Sequence, residues 1–279
     1  MQIWKMYKHD LDEGICMRAV YLLLPVLIAL FSCIGMHYKL VQLIHLSSSM
    51  GSGTVLDYWL YFIEGGKQYT FSVYNFFSMP VRWISFYALF MVCVNNYPLN
   101  DLKKLGIQII IRSKSRKHWW ISKLLWIATY AILYTAISFA VVALYAYSYN
   151  AQMSLKVSVS MVNAFTRKGF LLCGIRRLVC ISFVQPILLL ILFGCLQMAL
   201  SMKFPAINTF ILLFACLVIS SYKRNWLLFG NWGMPYRMFP AAAHGLEPKI
   251  CLILLTAAIG VAAAAGYLIY NKRDILEEK

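Results

Sequence analysis

Six stretches of this chain stay apolar for about twenty residues each, and nothing else in the sequence limits the fold as strongly. Lipid offers no partner to a backbone N–H or C=O. A helix that crosses a hydrocarbon core of roughly 30 Å must therefore satisfy all of them internally, over about 20 apolar residues. The stretches run approximately from Ala19 to Tyr38, Val73 to Val94, Lys123 to Tyr149, Leu178 to Met202, Phe204 to Tyr222 and Ile250 to Tyr270. Composition agrees, with 61% hydrophobic residues, 13% charged residues and a mean hydropathy of +0.68, against about 45–50% and about 25% in soluble chains. The expected fold is all-α: a polytopic membrane protein of six transmembrane helices, forming one transmembrane domain over residues 1–279.

The first apolar run exceeds the about 7–15 residues of a signal-peptide core and no small-x-small cleavage site follows it, so it is expected to remain in the mature protein. Ahead of it, in residues 1–18, Ile3, Trp4, Tyr7, Leu11 and Ile15 recur near i, i+4 spacing while Lys5, Lys8, His9, Asp12 and Glu13 fall elsewhere. That pattern reads as an interfacial helix lying along the head groups. The loop over 39–72 opens flexibly at "SSSMGSGT" and then turns aromatic, as an external hairpin partly embedded at the interface would. Spans four and five are joined only by "SMKFPA" from Ser201 to Ala206, which makes them a tight antiparallel pair. The connection from Lys223 to Lys249 carries "NWLLFGNWGMPYRMF" and reads as a short re-entrant or interfacial element. In the last span Ala258, Ala262 and Gly266 form a stripe of small residues expected to pack within the chain. Pro25, Pro80 and Pro186 are expected to kink their helices. The eight cysteines include no Cys-x-x-Cys pair and read as free apolar side chains.

The formal net charge of +16 suits a membrane interface beside anionic lipid and does not imply nucleic acid. The connection from Asn95 to Ser122 carries Lys103, Lys104, Arg112, Lys114, Arg116 and Lys117 against Asp101, which puts it in the cytoplasm. An even number of spans then puts both termini there, with 14 of the 26 lysines and arginines inside and 12 outside. The connection from Asn150 to Arg177 runs against the rule, carrying Lys156, Arg167, Lys168, Arg176 and Arg177 without an acid on the external side.

All ten acidic residues lie outside the apolar cores of the spans, and Arg82 stands within one near its outer end. Proton- and ion-coupled carriers place ionisable groups inside the membrane, so that class is disfavoured. "SMGSG" at 49–53 has Met50 where an intramembrane serine protease needs glycine, and there is no His-Glu-x-x-His run. "EGGKQ" at 64–68 has Tyr61 and Gln68 where a phosphate-binding loop needs Gly and Ser or Thr. Histidines 9, 37, 45, 118 and 244 are scattered singly. The chain is thus expected to hold no catalytic residue, metal or cofactor of its own, and any energy for transport has to arrive through another protein.

Residues 111–123 read "IRSKSRKHWWISK": five lysines and arginines, His118 and two adjacent tryptophans without an acid. Two readings fit it. Trp and Arg are enriched where proteins bind one another, and a basic patch with interfacial Trp also holds anionic lipid. Gln185 and Gln197 in span four read either as lining a path or as bonding one helix to another.

Four segments carry a resemblance: "IIIRSKSRKHWWISK" from Ile109 to Lys123, "LQMALSMKFP" from Leu196 to Pro205, "LLFGNWGMPYR" from Leu227 to Arg237 and "KRDIL" from Lys272 to Leu276. With the N-terminal helix, six spans and basic cytoplasmic connection, the chain resembles an ABC-2 type permease, the membrane subunit of an ATP-binding-cassette exporter. That resemblance implies two permease chains, as a homodimer, with two ABC ATPase subunits that bind ATP and Mg, in a bacterial cell membrane. It makes the segment over 107–122 a coupling helix docked on the ATPase through Arg112, Lys114, Ser115, Arg116, Trp119 and Trp120. The cargo it implies is amphipathic or hydrophobic: a peptide, an antibiotic or a lipid-like molecule. The rival expectation is a non-transport receptor or immunity protein that binds a membrane-active peptide.

Overall fold

The computed structural model describes residues 2–46, 51–69, 77–95, 97–102, 106, 115–165, 168–242 and 244–272. The described residues are helical wherever they are regular, and no β-strand occurs among them. In chain order the helices are α1 (Gln2–Gly14), α2 (Leu23–Leu46) after a 3-10 stretch (Cys16–Leu22), α3 (Val55–Ile63), α4 (Val81–Asn95), α5 (Tyr97–Asp101) and α6 (Arg116–Ser148). They continue with α7 (Val159–Ala164), α8 (Lys168–Leu171), α9 (Ile175–Ser201), α10 (Ala206–Tyr222) and α11 (Pro248–Lys272).

Four segments are long and apolar enough to cross a membrane: Cys16–His45, α6, α9 and α11. They coincide with expected spans one, three, four and six, and they mark a membrane-embedded chain. The fifth expected span is α10, a shorter apolar helix of 17 residues. The second is represented by α4, 15 residues that begin directly after Pro80, while residues 73–76 of the expected stretch lie outside the described residues. Pro80 therefore opens a helix, where its missing N–H removes no bond, and does not kink one.

Pro186 has a different consequence. It cannot donate to the carbonyl of Ser182, and α9 carries a π-helical turn at Cys180–Val184 just before it. The indole Nε1 of Trp59 donates to that Ser182 carbonyl at 2.8 Å. Trp59 belongs to α3, whose nine residues are all buried. An aromatic cluster surrounds it, with the ring of Phe183 stacked at 5.4 Å and those of Phe62 and Phe139 edge-on. α3 starts with a reciprocal cap: Asp57 N–H donates to Thr54 Oγ1 at 3.2 Å and Thr54 N–H donates to Asp57 Oδ2 at 3.0 Å. The stretch expected as an interfacial hairpin thus supplies the aromatic centre of the protein.

α9 packs along α11, and Gly266 explains how closely. A Cβ there would lie 2.6 Å from both the Ala199 Cβ and the Trp120 ring. The stripe of small residues is consumed inside the chain, as expected, with Ala262 and Gly266 buried. The loop from Lys223 to Glu247 is folded into two 3-10 turns, Phe229–Gly233 and Pro235–Arg237, and fixed by Arg237. That guanidinium is 1% exposed and donates to the carbonyls of Ser220 and Ser221, to Asn231 Oδ1 and, at 3.0 Å, to the Gly66 carbonyl. Ser220 and Ser221 end α10, so Arg237 satisfies carbonyls that the helix leaves open and sits at the negative end of its dipole. Burial and the neighbouring charge of Arg224 lower its pKa to about 10, still far above neutrality.

Candidate functional site

The basic segment singled out in the sequence ends on the first turns of α6, and those turns rest on a buried cluster of ionisable groups. Helix α6 starts at Arg116, seven residues before the apolar span, because a helical backbone continues regardless of whether its side chains are polar. Residues 116–122 are accordingly the leading turns of a 33-residue helix and not a separate one.

Lys123 lies at the centre of the cluster. Its ammonium, 1% exposed, bonds both the Asp10 carboxylate from α1 and, at 2.7 Å, the Asp101 carboxylate from α5. Asp10 also accepts from Ser122 Oγ and, at 2.8 Å, from the Tyr97 hydroxyl. Asp101 accepts from Trp119 Nε1 at 3.0 Å, and His9 Nε2 lies 3.5 Å from its other oxygen. The Lys123 ammonium additionally stands over the Tyr97 ring at 4.5 Å. Burial, reinforced by the charges of Asp10 and Asp101, holds the Tyr97 phenol protonated well above the usual tyrosine range, so it remains a donor to Asp10. The buried part of the cluster has two carboxylates to one ammonium. Lys123, Asp10 and Asp101 each have hydrogen-bonding partners, the condition under which burial of such charges is tolerated.

Around the ions lie the two indoles. Trp119 and Trp120 are each 2% exposed, and both stack on Tyr270 of α11, with ring centroids 5.0 and 5.6 Å away. Trp120 Nε1 donates to the Ala263 carbonyl at 3.1 Å. Arg116 donates to the carbonyl of Asn271 at 2.9 Å, a cation at the carbonyl end of α11. Ser115 stands in extended conformation just before α6. Arg112 and Lys114 lie outside the described residues. Of the six residues expected to meet a partner, the two tryptophans thus face the protein interior, and Arg116 stands at the surface end of the same seam.

Gln185 and Gln197 are fully buried and bond neighbouring segments: Gln185 Nε2 donates to the Pro248 carbonyl at 2.8 Å, and Gln197 Nε2 donates to Asn95 Oδ1 and, at 3.2 Å, to the Ala206 carbonyl. The sequence reading missed Asp10, Tyr97, Asp101 and Lys123 as a group. In α1 Met6, Asp10 and Gly14, four residues apart, are buried, the Tyr7 hydroxyl bonds Thr129 of α6 at 2.7 Å and Trp4 is 68% exposed; the buried stripe overlaps the apolar face read from the sequence and takes in Asp10 as well. The available signal was Lys123 itself, a cation at the start of an apolar span with no acid within a helical turn on either side.

What this arrangement can do is mechanical. It fastens the two flanks of the basic segment, α5 before it and α6 after it, to the N-terminal helix and to the end of the last long helix. Among the described residues no group of His, Cys, Asp and Glu is disposed to hold a metal ion. No curated protein and no solved structure matches this chain. A family model described as "Protein of unknown function (DUF2705)" matches residues 26–276, from the first long helix to beyond the last, and the chain belongs to that family.

Proposed function

We propose that this chain is the membrane-spanning permease of an ATP-binding-cassette exporter, working as a homodimer with two separate ATPase subunits that bind ATP and Mg. In this reading α4 and α10 also cross the bacterial cell membrane, completing six spans with both termini in the cytoplasm, and the cargo is an amphipathic or hydrophobic peptide, antibiotic or lipid-like molecule. The resemblance of the segments at 109–123, 196–205, 227–237 and 272–276 supports it, as does the position of all ten acidic residues outside the apolar cores of the six stretches.

The observation that carries it is the mount beneath the basic segment. A lever that transmits the closing of an ATPase dimer must be joined stiffly to the helices it moves, and it must interact differently with the two ATPase states. Lys123 between Asp10 and Asp101, with Trp119 and Trp120 stacked on Tyr270, provides such a joint. The division of labour follows: Arg112, Lys114, Ser115 and Arg116 meet the ATPase, while Trp119 and Trp120 fix the segment to the permease. Arg112→Glu combined with Lys114→Glu tests it. The expected result is a chain of unchanged thermal stability that no longer retains the ATPase; full retention and unchanged export in that variant would remove the docking role.

A further inference from the structure

A cleft of about 640 Å³, which shares no residue with the ion cluster, opens where α2, α4 and the loops after α3 and α10 come together. Its charged lining is one-sided. Lys39, Lys67 and Arg82 border it, and Glu64 is the one acid among the described residues that do. Each cation stands over an aromatic ring: the Arg82 guanidinium 3.5 Å from the Tyr61 centroid, the Lys39 ammonium 5.5 Å from the same ring and the Lys67 ammonium 5.4 Å from Tyr236. Glu64 lies 3.6 Å from Arg82, so the described lining brings three cations together around one carboxylate.

The walls are built rather than incidental. Tyr236 N–H donates to the Glu64 carbonyl at 2.9 Å, and the buried Arg237 donates to the Gly66 carbonyl, so the turn carrying Lys67 is bonded to the wall carrying Tyr236. Gly65 has φ +76° and backs onto Met234, where a Cβ would lie 2.8 Å from Cγ. Phe77, Met79 and Val81 continue the lining as an apolar strip and are 36%, 40% and 61% exposed. Gathering like charges on pre-set rings raises the free energy of an empty cleft and lowers that of an occupied one, provided the occupant is an anion.

We infer that this cleft binds an anionic phosphate group carried by an amphiphile, with the phosphate between Lys39, Lys67 and Arg82 and the apolar body along Phe77, Met79 and Val81. The level is the appropriate one: Lys39 is near the end of the first long apolar helix and Arg82 is the second residue of α4, the depth at which head groups lie. A cationic membrane-active peptide has the wrong sign for this lining. The inference goes beyond the transport reading, since binding of this kind needs neither an ATPase nor ATP.

The test is calorimetric titration of the purified full-length chain, in neutral detergent, with dioctanoyl phosphatidylglycerol, dioctanoyl phosphatidylcholine and inorganic phosphate. Phosphatidylglycerol is expected to bind saturably, with the other two at least about tenfold weaker, and Lys39→Gln with Lys67→Gln is expected to cost at least about tenfold in its affinity. Both lysines are exposed, so the thermal transition of the variant should not move; should it be lost, Lys39→Gln alone is read in the same way. Lys203→Gln, at the turn between α9 and α10, should bind like the parent. Equal binding of phosphatidylcholine, or parental affinity in the lysine variants, overturns the site. Inorganic phosphate binding as tightly as the lipid overturns the amphiphile and leaves a free anion as the ligand.

Discussion

Replacing Lys123 by methionine keeps the length and packing of the side chain while removing the one ammonium between two buried carboxylates. Lys123 is 1% exposed, and the side chains of Asp10 and Asp101 are 2% and 5% exposed, so solvent cannot screen the loss. Removing one partner from a buried ion pair costs about 3–5 kcal/mol, chiefly because the other charge is stranded. The lower part of that range applies here. Asp10 keeps its bonds from Ser122 and Tyr97, and Asp101 keeps Trp119. About 3 kcal/mol corresponds to a fall in Tm on the order of 10 °C for a chain of this size. The assay is thermal unfolding in a single detergent, followed by tryptophan fluorescence, since Trp119 and Trp126 lie beside the cluster. The control is the triple variant Asp10→Asn, Lys123→Met, Asp101→Asn, in which no charge is stranded; it should recover at least half of the lost stability, so the single effects should sum to far more than the triple. A Lys123→Met chain that melts within about 1 °C of the parent would refute the reasoning, and so would a triple variant as unstable as the sum of its parts.

Other outcomes follow from the same geometry. Trp119→Phe with Trp120→Phe keeps the stacking on Tyr270 and removes two donors, so it should cost about 1 kcal/mol per lost bond and leave ATPase retention intact, whereas the double alanine variant should fail to fold, at about 3–5 kcal/mol per ring. Purification yield and Tm of the two variants separate an anchor from a docking contact. Gly266→Val should separate α11 from α9 and Trp120, lowering stability by about 1–3 kcal/mol in the same melt. Arg237→Met strands the carbonyls of Ser220, Ser221 and Gly66 and should cost about 3 kcal/mol or more. Because the folded pKa of Arg237, about 10, lies below its unfolded value, its titration raises stability only as pH climbs through 10 and above. Between pH 6 and 9 the Tm difference between parent and Arg237→Met should therefore be flat, and a slope there would contradict the assignment.

The four long helices were legible because a bilayer demands about twenty apolar residues in a row, and the runs beginning at Ala19, Lys123, Leu178 and Ile250 meet that demand by local composition alone. The start of α6 was not, since hydropathy reports where a helix becomes apolar and says nothing about the polar turns at Arg116–Ser122 that precede it. Helix α3 was read as interfacial because Trp and Tyr favour head groups. In the folded chain the same rings fill the centre, where Trp59 supplies the donor that Pro186 lacks, a pairing across 123 positions. The ion cluster was out of reach for the same reason. Asp10 and Lys123 are 113 positions apart, and no local pattern distinguishes a buried Asp10 from the exposed Asp12 beside it. The small-residue stripe of α11 was readable because its spacing of four already describes the helix surface it presents.

The measurement that bears most directly on the transport reading is purification of the tagged chain from its native membranes in mild detergent, with identification of what accompanies it by mass spectrometry and an assay of the preparation for ATP hydrolysis. The account predicts an ATP-binding-cassette ATPase in equal amount to this chain and Mg-dependent hydrolysis that is lost in Arg112→Glu with Lys114→Glu. A preparation that contains this chain alone and does not hydrolyse ATP, reproduced after gentle crosslinking, would contradict it.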